Sequence, residues 1–449
     1  MKTIMMTISR GSLIRNFFHT GVVPALLRRG LRVIVLTPHS DDPAFVPYQH
    51  QNLIFEPLIE SKNLRFNKLF IEIEKGVIFN KTVRTRYRYR VAGRIPSRLY
   101  FVFRMFLFAP LSFIPGIKPF FRLVDFHINP ERQHDYLIEK YKPDLIFSTS
   151  AGGDISVIKG ARRLGVRSID MPKSWDTLPK YLFNVKADHM IVWSDFMKEQ
   201  SVRAQGYRPE EVIVTGVPQF DFYKDERRFI SREIFCKKLG LDPTKKIILY
   251  GSTGGNCCDE MAYIKLLRRY MADGILKNVQ VLIRPHIGYL GDADRFSEAE
   301  HYPGFALDRS GQQGTTFQDR WDTSEEHVNH LVNSFRHAAL SINIASTLSL
   351  DALAAGIPVI NINFDVDLNI SPHFSTNRLY QSDYIEAVVR SGGTKVVESE
   401  QAFRETLARI LKEEKRVEKE NEEALRYLIF RADGHSGERL AEAITDLVQ

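Results

Sequence analysis

Two short segments in the second half of the chain carry side chains that suit a negatively charged ligand. Arg284 and His286 follow the apolar residues 279–283, so a guanidinium able to pair with phosphate lies beside an imidazole able to donate a hydrogen bond or act as an acid. Ser346 and Thr347 lie between a predicted strand and a predicted helix, where free amides and the helix dipole favour a diphosphate. Ordinary helix capping by Ser346 is the alternative for this segment.

A glycine-rich turn follows another predicted strand of the same half. Gly251, Ser252 and Thr253 come after the apolar residues 247–250 and lead into two further glycines. Glycine lets the backbone approach a phosphate closely, although a turn without a ligand explains this composition equally well. The turn lacks the Lys-Ser/Thr ending of a P-loop and the glycine spacing of a dinucleotide fingerprint. Kinase-like and dehydrogenase chemistry are therefore not favoured.

The first half also has polar residues after its predicted strands. Arg10, Arg15 and Asn16 lie at the first strand-to-helix turn, and His19 lies one turn further along the predicted helix. We predict that these residues face the ligand and that His19 is a candidate catalytic base.

A second polar group of the first half follows a later strand. It consists of Lys173, Trp175 and Asp176. A tryptophan beside a carboxylate and a lysine can stack on a ring and hydrogen-bond to sugar hydroxyls, while burial in the core is the usual alternative for a single tryptophan. Asp176 is the second candidate base.

The elements that must position these residues alternate between strand and helix. Residues 1–38 form a predicted strand, helix and strand, and the pattern resumes after the basic insertion and again after the charged stretch 221–232. A chain of 449 residues exceeds what one core usually supports. We therefore predict two Rossmann-like α/β domains, residues 1–222 and 223–425, that face each other across a cleft at the carboxyl ends of their strands.

Basic residues are concentrated in an insertion at about residues 64–130. The net charge is +8, and residues 76–121 contain no acidic side chain. Arginines alternate with threonine and tyrosine before an apolar stretch, residues 99–121, that prolines and charges interrupt too often for a spanning helix. We predict that the insertion binds an anionic membrane surface; single-stranded RNA is the alternative, and we expect no nucleic-acid partner. The predicted contacts are Arg84, Arg86, Arg88, Arg90, Arg94 and Arg98.

The cysteines and the first residues of the chain bear on location and metal binding. Of three cysteines two are adjacent, which fits a reduced, cytosolic protein and no zinc site. Residues 1–9 lack the features of a secretion signal and are predicted to be a buried strand. Asp365 and Asp367 have Asp-x-Asp spacing but follow a predicted core strand, so we expect no metal ligand there.

The order of these segments resembles the GT-B glycosyltransferases of bacterial surface-polysaccharide synthesis and is similar to their relatives, the CDP-glycerol glycerophosphotransferases. The resemblance covers nearly the whole chain except residues 52–132. The residues that carry it are Arg10-Gly11 with Arg15-Asn16, Lys173-Ser174-Trp175-Asp176, residues 215–221, Arg284-Pro285-His286, Ser346-Thr347 with Asp351, and Asp433-Gly434 with Ser436 and Arg439.

The resemblance implies roles for the two domains. The second would bind a nucleotide-sugar donor, with Arg284, His286, Ser346 and Thr347 on the diphosphate and Asp351 on a ribose or sugar hydroxyl. The first would bind the acceptor, and a final helix, residues 426–449, would return to it. It further implies that no metal or cofactor is needed.

We therefore predict a glycosyltransferase that is cytoplasmic and peripheral at the inner face of the cell membrane, acting on a lipid-linked or growing glycan. A CDP-glycerol-type glycerophosphotransferase and a nucleotide-sugar 2-epimerase share the fold and are the alternatives. A non-catalytic scaffold that docks on membrane or nucleic acid is a further one.

Overall fold

Strands and helices alternate through most of the chain in the computed structural model of the protein. The structure describes residues 1–59, 76–90, 95–255, 258–289, 291–310, 316–320, 322–413 and 422–449. They form two compact units. Unit 1 comprises Met1–Gln219, Thr316–Asp319 and Phe430–Gln449, and unit 2 comprises Phe220–Thr315 and Arg320–Ile429. The division thus falls between Gln219 and Phe220, whereas the sequence predicted it after residue 222.

Unit 1 is built on a seven-stranded sheet in which all neighbouring strands are parallel, in the order β3-β2-β1-β4-β5-β6-β7. Apolar, often β-branched runs form these strands because helices cover both faces of such a sheet. The strands are β1 Thr3–Thr7, β2 Arg32–Thr37, β3 Leu53–Pro57, β4 Leu145–Ser148, β5 Ser168–Asp170, β6 His189–Val192 and β7 Val212–Val214. The helices are α1 Gly11–Ile14, α2 Val22–Arg28, α3 Lys81–Arg90, α4 Ile95–Ser112, α5 Ile117–Ile128, α6 Asp135–Tyr141, α7 Ile155–Leu164 and α8 Asp195–Gln200.

Unit 2 is built on a six-stranded parallel sheet with the corresponding order, β10-β9-β8-β11-β12-β13. Its core contains large buried aromatic side chains, among them Tyr250, Tyr263 and Phe296. The strands are β8 Lys246–Gly251, β9 Val279–Arg284, β10 Phe305–Leu307, β11 Ala338–Asn343, β12 Val359–Ile362 and β13 Lys395–Val397. The helices are α9 Arg232–Leu239, α10 Glu260–Ala272, α11 Glu325–His337, α12 Leu348–Ala354, α13 Asp383–Arg390, α14 Glu400–Glu413 and α15 Glu422–Ile429.

The last helix, α16 Ser436–Val448, belongs to unit 1 and packs on α2. Arg439 Nε donates a hydrogen bond of 2.9 Å to the carbonyl oxygen of Thr215. Gly216 has φ +91°, and a Cβ there would lie 2.5 Å from Ser436 Oγ. The close approach of α16 to the segment after β7 therefore requires glycine at this position.

The insertion between β3 and β4 contains α3, α4 and α5. Among the described residues no single helix has the length and apolar composition of a membrane span. The segments Met105–Ser112 and Ile117–Ile128 have that length and apolar composition only when taken together, and the chain bends by 107° between them.

Candidate functional site

The carboxyl edge of the sheet in unit 2 brings several predicted ligand-binding segments together. The strand order reverses between β8 and β11, and doubly wound sheets bind ligands outside the strand ends at this point. Gly251, the last residue of β8, is in register with Arg284 on β9 and with Asn343 on β11. The glycine-rich turn, the Arg284 segment and the Ser346 segment therefore leave the sheet side by side.

The turn after β8 is fixed by its own hydrogen bonds. A Cβ on Gly251 would lie 2.1 Å from Leu348 Cδ2, so α12 can approach β8 only because this residue is glycine. The amide of Ser252 donates to the carbonyl of Arg284 over 3.0 Å, and the amide of Gly254 donates to Ser252 Oγ over 3.0 Å. These amides therefore already have protein partners, and contact of Gly251, Ser252 and Thr253 with a donor phosphate stays a prediction.

Glu260, a residue that the sequence analysis did not single out, holds this turn. Its buried carboxylate accepts hydrogen bonds from the Ser252 hydroxyl over 3.0 Å and from the Thr253 amide over 3.1 Å. Arg295 lies 3.2 Å from the same carboxylate and 2.6 Å from Asp292. Burial raises the pKa of Glu260, although the hydrogen bond from Thr253 and the charge of Arg295 act against this.

His286 is oriented by the loop that follows β9. Its amide donates to Asp292 Oδ2 over 2.7 Å, and its Nδ1 accepts a hydrogen bond of 3.0 Å from the Gly288 amide. Burial lowers the pKa of His286, so the ring is neutral near pH 7. Because Nδ1 accepts, the proton of the neutral ring belongs on Nε2. His286 can therefore donate a hydrogen bond to a ligand oxygen.

Arg284 is anchored by Asp308. Its Nη1 donates over 2.8 Å to the buried carboxylate, which also lies 3.0 Å from Nε2 of His330. Burial alone would raise the pKa of Asp308, but the hydrogen bond from His330 and the charge of Arg284 lower it. The ion pair fixes the guanidinium at the strand end. A cavity of about 250 Å³ beside it is lined by Arg284, His286, Tyr289, Asp292, Asp308 and Arg309, among others.

The segment after β11 is capped internally. Asn343 Oδ1 accepts from the Ser346 amide over 3.2 Å, and Ser346 Oγ accepts from the Leu348 amide over 3.2 Å. The capping alternative for Ser346 is thus the one observed, whereas contact of Ser346 and Thr347 with a diphosphate stays a prediction. Thr347 is exposed. Asp351 accepts a hydrogen bond of 2.8 Å from the Tyr223 hydroxyl, so its carboxylate already has a protein partner.

In unit 1 the first turn of α1 is occupied by a carboxylate. Asp319 accepts hydrogen bonds from the Gly11 and Ser12 amides, over 3.1 and 3.2 Å, and from the Ser12 hydroxyl over 3.0 Å. Arg10 donates to the amide oxygen of Gln318 over 3.2 Å. The group described as the partner of this guanidinium is therefore uncharged.

The remaining predicted residues of this turn are at least partly buried. Arg15 donates to Asn16 over 3.0 Å and to Gln219 over 3.1 Å, and Asn16 itself is buried. His19 ends the π-helical turn Arg15–His19, a geometry frequent at functional sites, and its Nδ1 lies 2.9 Å from the Tyr48 hydroxyl.

The prediction that Trp175 stacks on a ligand is wrong. Its side chain is buried, with the ring centroid 4.7 Å from that of Phe196. Asp176 accepts a hydrogen bond of 2.7 Å from Ser174 and pairs with Lys180. Burial would raise the pKa of Asp176, but the charge of Lys180 and these hydrogen bonds lower it, which makes the carboxylate a weak base. Lys173 is exposed.

Two buried acids that the sequence analysis gave no chemical role lie at the carboxyl edge of the sheet in unit 1. Asp154 accepts from the hydroxyls of Thr7, at the end of β1, and Ser148, at the end of β4. Asp170 ends β5, and burial, together with the charge of Asp154, raises its pKa to about 7. The position of Asp170 at the end of a strand, and that of Asp154 directly before a helix, are the sequence signals that could have identified them.

Within the described ranges no group of three His, Cys, Asp or Glu side chains is arranged to hold a metal ion. Asp365 instead accepts hydrogen bonds from Ser375 and Thr376.

The comparisons with known proteins give similarity in structure only. No family model matches the chain, and no curated protein has a significantly similar sequence. Staphylococcus aureus MnaA in a co-structure with UDP has a TM-score of 0.54 at 14% identity, covering 99% of this chain and 96% of that one. A glycosyltransferase from Rickettsia africae has 0.55 at 11% identity, covering 100% and 99%.

A third similar structure is the UDP-GlcNAc 2-epimerase from Neisseria meningitidis bound to UDP-GlcNAc. Its TM-score is 0.53 at 12% identity, covering 99% of this chain and all of that one (100%). The protein therefore has the two-domain α/β fold of the GT-B class.

Proposed function

We propose that the protein is a glycosyltransferase that moves a sugar from a nucleotide-sugar donor to a lipid-linked or growing surface-glycan acceptor. The observation that carries the proposal is the pair Arg284 and His286 at the carboxyl edge of the sheet in unit 2. Asp308 anchors the guanidinium and Asp292 anchors the loop that carries the imidazole. The GT-B fold supports the proposal, as do the UDP and UDP-GlcNAc bound to two structures of similar fold.

In this proposal Arg284 and His286 bind the diphosphate of the donor. A guanidinium carries five N–H donors, and a hydrogen bond is described from one nitrogen of Arg284, the one to Asp308. His286 Nε2–H would add a neutral donor to the same anion. Stabilising the negative charge of the diphosphate makes it a better leaving group. The two side chains would therefore accelerate its departure from the sugar. The resemblance implies a reaction without metal, in which Arg284 supplies the positive charge.

The predicted proton acceptors are His19 and Asp176. His19 remains a candidate, whereas the lowered pKa of Asp176 argues against it. Arg10, Arg15, Asn16 and Lys173 remain proposed acceptor contacts.

Calorimetric titration with UDP, CDP and CMP tests the proposal. We expect the wild type to bind at least one of them and Arg284→Ala to bind it roughly thirtyfold more weakly, because a charge-assisted hydrogen bond contributes about 2 kcal/mol. Arg390→Ala is the matched control, since Arg390 is an exposed arginine of the same unit, paired with Glu386. No affinity of the wild type for any of the three would contradict the proposal.

A nucleotide-sugar 2-epimerase is the second candidate, because such enzymes are among the structures of similar fold. A CDP-glycerol-type transferase is the third. Mass spectrometry of the products separates them: sugar transfer adds a sugar to the acceptor, glycerophosphate transfer adds glycerol phosphate, and epimerisation leaves every mass unchanged. Nucleotide binding without turnover on any donor would support the non-catalytic scaffold instead.

A further inference from the structure

Helices α4 and α5 expose large apolar side chains on one continuous stretch of unit 1. Phe106 is 80% exposed and Leu99 67% exposed on α4, and Phe113, in the turn that follows, is 76% exposed. Leu99, Phe103 and Phe106 are spaced by four and three residues and so lie on one side of the helix. We call this surface the apolar face and define it by Leu99, Phe103, Phe106, Phe113, Phe120 and Leu123. Exposed apolar patches of this kind mark interaction sites.

Helix α5 has its polar and apolar sides reversed relative to a helix on a water-exposed protein surface. Arg122 and Asp125 are 6% and 1% exposed, whereas Phe120 and Leu123 are 57% and 49% exposed. The inward side is bonded to the protein: Arg122 Nε donates to the Phe183 carbonyl over 2.9 Å, and Asp125 pairs with the buried Lys159 over 2.5 Å. The helix is therefore held with its charges inward and its apolar side outward.

Helix α4 is also anchored on one side. A Cβ on Gly76 would lie 2.5 Å from the ring of Phe108, so the helix packs closely against the start of the insertion. Val77, Ile78 and Val83 belong to a small buried cluster against which Ile117 and Phe121 of α5 pack. The opposite side carries the exposed residues of the apolar face. The apolar face thus belongs to packed helices of unit 1.

A basic surface adjoins the apolar face. Lys81, Arg84, Arg86 and Arg88 are exposed on α3. The Arg84 guanidinium lies 5.4 Å from the centre of the Phe79 ring, whose centroid is 6.3 Å from that of Phe113. The first acidic residue after Gly76 is Asp125, which is buried in its ion pair. Arg94 and the side chains of Arg90 and Arg98 lie outside the described part of the chain.

We propose that the apolar face and its basic edge form a docking surface for a bilayer that contains anionic lipids, with α4 and α5 lying in the plane of the interface. Apolar side chains would enter the acyl region, while the arginines and the lysine pair with lipid phosphates. The charge distribution favours lipid over a second copy of this chain, because a self-contact would bring the basic edges together. The aliphatic part of the face favours acyl chains over nucleic-acid bases. The docking surface does not depend on the proposed transfer reaction.

Flotation with vesicles tests this proposal on the full chain. We expect the wild type to float with vesicles of phosphatidylcholine mixed with phosphatidylglycerol, and less with phosphatidylcholine alone or in high salt. The double variant F106D/F113D should stay at the bottom of the gradient. Leu368→Asp, an equally polar change at an apolar residue of unit 2 that is 91% exposed, should float like the wild type. Arg84→Gln and Arg88→Gln should each weaken binding to the anionic vesicles roughly fivefold.

A reporter variant distinguishes insertion from adsorption. Phe106→Trp should show a blue shift of its tryptophan emission when anionic vesicles are added. Flotation by F106D/F113D equal to that of the wild type would overturn the proposal, as would an unshifted spectrum. A wild type that dimerises through this face, or that binds single-stranded RNA but not vesicles, would also overturn it. Nucleotide titration of F106D/F113D keeps this test separate from that of the proposed function.

Discussion

The guanidinium of Arg295 lies 3.2 Å from the carboxylate of Glu260 and extends the contacts of that buried acid to the next loop. Glu260 holds the amide of Thr253, and Arg295 also pairs with Asp292, which holds the amide of His286. The turns after β8 and β9 are therefore connected by one network of charges. The conformation of each turn therefore depends on contacts made by the other.

Removing Glu260 should loosen both turns. We expect Glu260→Ala to lower the free energy of unfolding by about 3 kcal/mol, because the variant leaves Arg295 without this buried partner. Glu298→Ala removes an exposed carboxylate that pairs with Lys265, and it should cost less than about 1 kcal/mol. Urea denaturation measures both. Equal losses in the two variants would show that Glu260 has no special structural weight.

The identity of the donor atom on His286 can be tested by substitution. The amide nitrogen of glutamine approximates Nε2 of histidine, whereas that of asparagine approximates Nδ1. Because we assign the proton to Nε2, His286→Gln should keep more affinity for the bound nucleotide than His286→Asn, by roughly fivefold or about 1 kcal/mol. The dissociation constants from calorimetry give the comparison. A better-binding asparagine variant would place the donor on the other ring nitrogen.

The buried carboxyl of Asp170 should make stability depend on pH. Its pKa is about 7 in the folded protein, and an aspartate in an unfolded chain has a pKa of about 3.9. Between these values the folded state holds the proton and the unfolded state does not, so the stability that this group contributes is lost as pH rises. Asp170→Asn carries no titrating group there. The variant should therefore gain stability relative to wild type from about pH 4 to about pH 7, and a constant difference across this window would refute the assignment.

The packing of α16 against unit 1 should be sensitive to Gly216. Both Gly216, φ +91°, and Gly206, φ +73°, have left-handed backbones, but a Cβ on Gly206 would meet nothing within 4 Å. Gly216→Ala should therefore cost at least about 1 kcal/mol more than Gly206→Ala, because it adds a clash with Ser436 to the same backbone strain. Thermal or urea unfolding of the two variants measures the difference. Similar losses would mean that α16 moves aside at little cost.

The sequence predicted the two-unit α/β fold because most strands are continuous apolar runs followed by glycine or polar turns. It missed β3, β10 and β13, three short strands at or near sheet edges. Leu53–Pro57 ends in proline, and Lys395–Val397 has only three residues, so pairing with neighbouring strands rather than local composition decides their structure.

The sequence predicted the candidate site only in part, because contacts between segments that are distant in the chain decide the rest. Arg284 and His286 follow a strand, which the sequence reveals, but their partners Asp308 and Asp292 lie in later loops. Which serine amides are free likewise depends on contacts such as that of Ser346 with Asn343. Burial decides the role of Trp175, and composition around it does not predict burial.

A crystal structure of the protein soaked with UDP tests the central claim most directly. We predict that the diphosphate lies at the carboxyl edge of the sheet in unit 2, within hydrogen-bond distance of the Arg284 guanidinium and of His286 Nε2. UDP bound elsewhere on the protein, with both side chains free of it, would contradict the account.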